Sequence, residues 1–236
     1  MKKIFTEQSI IGDIVTTFPK ASDLFKTYKI DFCCGGNRPL IDAIHEKGLS
    51  ADNVLATLNT LYHETNQLNE STIQWETASF NELIDFIINK HHRYLNEELP
   101  QLSPYVTKVL RVHGGDQPHL AEIHTLFNAL KTELEQHLIK EETEDFPLIL
   151  AIEANPQDGQ REQLQNVMNE LEAEHQHAGD LLKQLREVTN DFTPPEGACG
   201  TYRLVYQRLE QLESDMFDHI HLENNILFPR AAAELN

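Results

Sequence analysis

His137-Leu138-Ile139-Lys140-Glu141-Glu142-Thr143-Glu144-Asp145-Phe146-Pro147 and His219-Ile220-His221-Leu222-Glu223-Asn224-Asn225-Ile226-Leu227-Phe228-Pro229 are two copies of one pattern, His-x-x-x-Glu-x-x-x-x-Phe-Pro. On a helix, positions i and i+4 lie about one turn apart on the same face. Each copy therefore aims an imidazole and a carboxylate at one point. Two such helices facing each other inside a bundle make a metal site.

The residues around each copy place these polar groups on the core face. One helix carries Phe127, Leu130, Leu134, His137 and Glu141, and another repeats the stripe as Leu209, Leu212, Met216, His219, Glu223 and Ile226. Steps of three and four mark the buried face of an amphipathic helix. A third stripe runs through Met168, Leu171, His175, Ala178, Leu182 and Leu185, which leaves His177 off that face, as His221 is off the face of His219. On the first long helix periodicity does not separate His91 from His92. His91 continues Ile84, Ile88 and Leu95, whereas His92 belongs with Ile88, Leu95 and Leu99. The chain separation of His92 and His137 matches that of His175 and His219 to within one residue, which fits His92 slightly better.

Four histidines and two glutamates thus converge in an apolar interior. Buried imidazoles and carboxylates without partners cost several kcal/mol, so they are paired or bind metal. Any one of these histidines reads more economically as a satisfied core residue; the duplicated set reads as a metal centre. Six ligands exceed the four of a zinc site. Nitrogen and carboxylate donors with no thiolate on the stripes suit iron, manganese or zinc. Two carboxylates bridging two ions leave two histidines for each. An oxo or hydroxo bridge adds a further ligand and leaves room for dioxygen or nitric oxide, while ligands deep between helices offer a bulky substrate no entry.

The rest of the chain reads as helix, with no β-branched runs of period two. Short helices are expected at about 7–17, 20–28, 39–47 and 51–68, and a polar stretch from Asn69 to Thr77 marks a domain boundary. The domains are then 1–70, small and helical, and 79–236, a bundle. Ser79-Phe80-Asn81-Glu82 is a capping box opening the first long helix. That helix spans about 79–98 with a continuation past Pro104 to 113; the others span about 118–144, 160–189 and 200–227. Gly114-Gly115, Pro156 to Gly159 and Thr193-Pro194-Pro195 separate them. The predicted fold is all-α, an antiparallel four-helix bundle after a small helical domain.

Acidic residues outnumber basic ones 38 to 19, for a formal net charge of -19. Such a polyanion is a poor partner for nucleic acid or an anionic membrane, and solubility accounts for it. Three cysteines, Cys33, Cys34 and Cys199, make no disulfide framework. No signal peptide or spanning helix is read, so a reducing cytoplasm is the default compartment. A homodimer formed through the first domain is open, though no long apolar stripe demands it. Asp31-Phe32-Cys33-Cys34-Gly35-Gly36 interrupts the helical pattern; one reading packs the two cysteines beside the glycines, and the other exposes thiols that become reactive if a positive helix end lowers their pKa. Cys199 reads as a small packing residue, and His45, His63, His113, His119 and His124 as surface or packing histidines.

The His-x-x-x-Glu order resembles the hemerythrin arrangement rather than the Glu-x-x-His of ferritin-like bundles. His137-Leu138-Ile139-Lys140-Glu141-Glu142, Glu172-Ala173-Glu174-His175 with Ala178-Gly179, and His219-Ile220-His221-Leu222-Glu223-Asn224-Asn225 follow one another in order. Together with the early Cys33-Cys34 segment they closely resemble the repair-of-iron-centres family, of ScdA and YtfE type, over nearly the whole chain. The resemblance implies a di-iron centre held by His92, His137, Glu141, His175, His219 and Glu223, with Glu141 and Glu223 bridging. It implies a role for Glu174 in proton transfer or iron release, and a functional thiol pair in Cys33 and Cys34. The implied activity is repair, by iron donation, of iron–sulfur clusters damaged by nitric oxide or oxidants, with the damaged proteins as clients. Two other activities suit the same site: reduction of nitric oxide at the paired irons, and sensing or carriage of dioxygen or nitric oxide. The dithiol segment is unneeded for carriage.

Overall fold

The protein is described by a computed structural model covering residues 4–67, 75–154 and 160–234. Among these residues there is no β-strand, only an isolated antiparallel bridge between Ile10 and Pro39. The expected boundary at Asn69 to Thr77 falls largely outside the described residues, as does the connection from Pro156 to Gly159. The chain packs as two compact units that do not follow chain order: Met1–Leu83 with Phe217–Asn236, and Ile84–Met216.

In the first unit, α1 (Ile11–Thr17), α2 (Ala21–Tyr28), α3 (Leu40–Glu46) and α4 (Ala51–Gln67) surround a core that includes Ile14, Phe25, Phe32, Leu40, Ile44 and Leu58. Lys29 closes α2 in the left-handed conformation, at φ 56°. Asn59 on α4 ties down the entering chain. Its Oδ1 accepts from the backbone N–H of Ile4 (2.8 Å) and Phe5 (3.1 Å), and its Nδ2 donates to the carbonyls of Phe5 (3.0 Å) and Leu55 (2.9 Å). α5 (Phe80–Ile87) starts at the capping box: Ser79 N–H donates to Glu82 Oε2 at 3.0 Å, and Glu82 N–H to Ser79 Oγ at 3.2 Å.

The second unit is built on α6 (Arg93–His113), α7 (His119–Lys140), α8 (Phe146–Ala154), α9 (Gln160–Val188) and the part of α10 (Gly200–Leu222) up to Met216. α7 packs on both α6 and α9. α10 is tied to α6 by Arg208, which donates to both oxygens of Glu98 at 2.6 and 2.7 Å. It is tied to α9 by Arg186, whose Nε donates to the buried Glu213 carboxylate at 2.9 and 3.0 Å. His119 at the start of α7 meets the hydroxyls of Tyr202 and Tyr206, each at 3.0 Å. α6 runs unbroken through Pro100 and Pro104. Both prolines are exposed, so the carbonyls they leave without a helical N–H face solvent.

Three long helices contain a five-residue π-helical stretch: Ile88–His92, Glu141–Asp145 and Glu223–Leu227. The last leads into α11 (Phe228–Ala233). These stretches explain the Phe-Pro of the repeated pattern. A proline has no N–H for the carbonyl four residues back, and its ring clashes with that carbonyl. Widening the turn just before it relieves the clash. In both copies the Phe N–H reaches five residues back, Phe146 to the Glu141 carbonyl and Phe228 to the Glu223 carbonyl. The helices expected to stop near 144 and 227 therefore continue to Ala154 and Ala233. Such π-turns concentrate at functional sites, and here each one contains or begins with a candidate metal donor.

Candidate metal centre

In the second unit the expected donors come from four elements. His92 closes the first π-helical stretch, His137 and Glu141 straddle the junction of α7 with the second, and His175 lies on α9. Glu141 is fully buried, with His137 Nε2 at 3.2 Å, His92 Nε2 at 3.3 Å and His175 Nε2 at 4.0 Å from its oxygens. The Nε2 atoms of His137 and His175 are 3.1 Å apart. One donor atom each of His137, Glu141 and His175 lies within 4.8 Å of the others, a cluster that could hold a metal ion.

A carboxylate orients the far side of two of the rings. His137 Nδ1 meets Glu174 Oε2 at 2.6 Å, and His92 Nδ1 meets Glu142 Oε1 at 2.9 Å. A carboxylate only accepts, so Nδ1 donates in each ring and Nε2 is the atom turned toward Glu141. Metal-binding histidines are oriented in this way. The hydrogen bond from His137 holds the Glu174 carboxyl below its ordinary pKa. The histidine doublet separates in space: His92 faces Glu141, whereas buried His91 bonds Asp215 through Nδ1 at 3.0 Å.

In the first unit, the second copy of the pattern sets His219 Nε2 3.0 Å from Glu223 Oε1, with both side chains buried. His221 points elsewhere. Its Nδ1 donates to the Phe32 carbonyl at 3.4 Å and its Nε2 accepts from Thr16 Oγ1 at 3.4 Å. Burial pushes its pKa down to about 4, so the ring is neutral.

The cysteine segment lies in the same unit, and the pair is packed there rather than fully exposed. Cys33 is buried and Cys34 half-buried. Their sulfurs are 3.8 Å apart. The contact with Cys34, then burial, raises the Cys33 thiol well above its ordinary pKa. Asp31 organises the turn, its Oδ1 accepting from the N–H of Cys33 (3.0 Å) and Cys34 (3.1 Å). Cys199 is exposed rather than packed, with its sulfur 3.3 Å from His113 Nε2.

Two acidic residues beside the centre were not singled out from the sequence. Glu142 is the partner of His92, and its position one residue beyond Glu141 gives no periodic signal. Asp145 is buried, its Oδ2 without a hydrogen bond among the described residues, and burial pushes its pKa up to about 6. His137, Glu141 and Asp145 recur every four residues, so periodicity could have found it.

Residues 83–231 match the Hemerythrin HHE cation binding domain, and residues 7–62 match a Domain of Unknown function (DUF542). The chain is 36% identical over 232 residues to the iron-sulfur cluster repair protein ScdA of Staphylococcus epidermidis, covering 97% of this chain and all of the relative. It is 37% identical over 221 residues to the iron-sulfur cluster repair protein YtfE of Yersinia pseudotuberculosis, covering 94% and 95%. The chain belongs to the ScdA and YtfE family. The Staphylococcus haemolyticus ScdA protein is a further relative, 35% identical over 95% of this chain. The family's fold is the one expected here, an all-α hemerythrin-like bundle preceded by a small helical domain. No described helix is long and apolar enough to cross a membrane.

Proposed function

We propose that His92, His137, Glu141, His175, His219 and Glu223 together hold two iron ions, and that the chain supports repair of iron–sulfur clusters damaged by nitrosative or oxidative stress, with iron as the donated cargo. The observation that carries this reading is the buried His137–Glu141–His175 cluster, with a proton fixed on His137 Nδ1 by Glu174. A set of imidazole nitrogens and carboxylate oxygens, without thiolate, fits iron. The repeated pattern supplies a matching buried pair in His219 and Glu223, and the hemerythrin match at 83–231 includes all six residues. The names of the relatives support the repair activity.

When bound, iron in such a site supplies labile metal and a place for nitric oxide or dioxygen. The chain's own residues do the rest. Glu174 and Glu142 orient His137 and His92. Glu174 is partly exposed, which suits a role in proton transfer or in iron release. Cys33 and Cys34, carried by the 1–70 domain ahead of the 79–236 bundle, guide the metal or contact the damaged iron–sulfur protein in a reducing cytoplasm, the half-buried Cys34 being the more accessible of the two. Among the described residues nothing favours nitric oxide reduction or dioxygen carriage over this reading. The test mixes the iron-loaded chain with an iron–sulfur enzyme inactivated by nitric oxide. Recovery beyond that given by an equal amount of free iron is expected; recovery equal to the free-iron control rejects iron donation.

A further inference from the structure

Asn225 lies two residues beyond Glu223, within the π-helical stretch Glu223–Leu227. Its Nδ2 donates to two successive carbonyls of the cysteine segment, Phe32 at 3.3 Å and Cys33 at 3.0 Å. Two glycines from separate segments leave room for its Oδ1. A Cβ on Gly12 would stand 2.5 Å from that oxygen, and one on Gly36 would stand 2.4 Å from the Phe32 carbonyl that Asn225 binds and 3.0 Å from the Asn225 oxygen. The glycines are themselves joined, Gly12 N–H donating to the Gly36 carbonyl at 2.7 Å. His221, one turn earlier than Asn225, reaches the same Phe32 carbonyl. The segment's own side is equally fitted: a Cβ on Gly35 would come within 2.9 Å of Asp31 Oδ2, the carboxylate that holds both cysteine amides. A half-buried amide that only satisfied stray carbonyls would need none of this clearance. The glycines, the two hydrogen bonds and the Asp31 turn all define one conformation, that with the two sulfurs side by side.

We propose that Asn225 is a positioning residue for the Cys33–Cys34 dithiol, fastening it to the turn of helix that bears Glu223. The inference rests on the repair reading and deepens it, because the dithiol of that reading is then held by the same helical stretch as a metal donor. Losing Asn225 frees the backbone at Phe32 and Cys33 and lets the buried Cys33 sulfur reach solvent.

The test measures alkylation of each cysteine by iodoacetamide, read by mass spectrometry, in the full chain carrying Cys199→Ser so that only the two thiols report. Asn225→Ala is expected to speed Cys33 alkylation about tenfold, the factor that two modest net hydrogen bonds supply. Asn225→Asp keeps the shape but turns a carboxylate on two carbonyls, and is expected not to restore the slow rate. Gly12→Ala, which displaces the Asn225 oxygen, is expected to reproduce the effect and to add almost nothing in the Asn225→Ala background. Rates within twofold of the parent in both Asn225→Ala and Gly12→Ala overturn the proposal. So do fully additive effects of the two. Iron content of the parent, measured in parallel, bears on the repair reading alone, since the thiol rates are interpretable whatever the metal content.

Discussion

Replacing Asp145 with asparagine should stabilise the metal-free protein at pH 8. The Asp145 side chain is buried, one oxygen makes no hydrogen bond among the described residues, and Glu141, Glu144 and Glu170 repel its charge while Lys140 attracts it. Burial, the largest cause, lifts its pKa from the ordinary 3.8 to about 6. The sign follows from proton counting. Between these values the unfolded chain has lost the proton while the folded chain keeps it, so stability falls as pH rises through that window and stays lower above it. Two pKa units correspond to about 3 kcal/mol. Asparagine carries no charge and should remove this penalty. The assay is urea unfolding of the parent and Asp145→Asn, both stripped of metal, from pH 4 to pH 8. We expect the variant to gain about 2 to 3 kcal/mol at pH 8 and to gain almost nothing at pH 4. A variant that is less stable at pH 8, or a gain that does not change with pH, refutes the reasoning that this carboxylate is held at a cost.

Further outcomes follow from other contacts. His92→Ala should cost the chain bound iron, whereas His91→Ala should leave iron content unchanged and lower the unfolding temperature, because His91 bonds Asp215 and not Glu141; iron assay and thermal melts separate the two. Asn59→Ala should cost about 3 kcal/mol in urea unfolding, because it leaves the buried N–H and carbonyl of Phe5 without their partner. Glu213→Ala should cost about 3 kcal/mol by leaving the Arg186 guanidinium without its buried partner, and the double variant with Arg186→Ala should cost less than the two single effects together. Removing iron with a chelator should lower the thermal midpoint of the parent and leave that of a Glu141→Ala variant nearly unchanged.

The helices were legible because burial repeats every three or four residues, and each residue of the stripes ending at Glu141 and Ile226 is buried. What periodicity could not supply was the π-helical widening. Helix ends were expected near 144 and 227, yet the wider turns absorb the N–H that Pro147 and Pro229 lack and the helices pass through. The same widening defeats the 3.6-residue count at His91 and His92, which share one such turn, and only the three-dimensional contacts with Asp215 and Glu141 tell them apart. The contact of Asn225 with Phe32 and Cys33 joins residues some 190 positions apart, and no local pattern reports it. The cysteine pair was legible as an unusual motif, with packing beside the glycines as one reading; the contacts of neighbouring Phe32 with Phe217 and His221, far along the chain, were not.

Anomalous diffraction at the iron absorption edge, from crystals of the iron-loaded chain, bears most directly on the proposed centre. Two iron peaks are expected, each within coordination distance of two of the four imidazoles of His92, His137, His175 and His219 and of the Glu141 and Glu223 carboxylates. A map without iron peaks among those side chains, or with iron held only at Cys33 and Cys34, contradicts it.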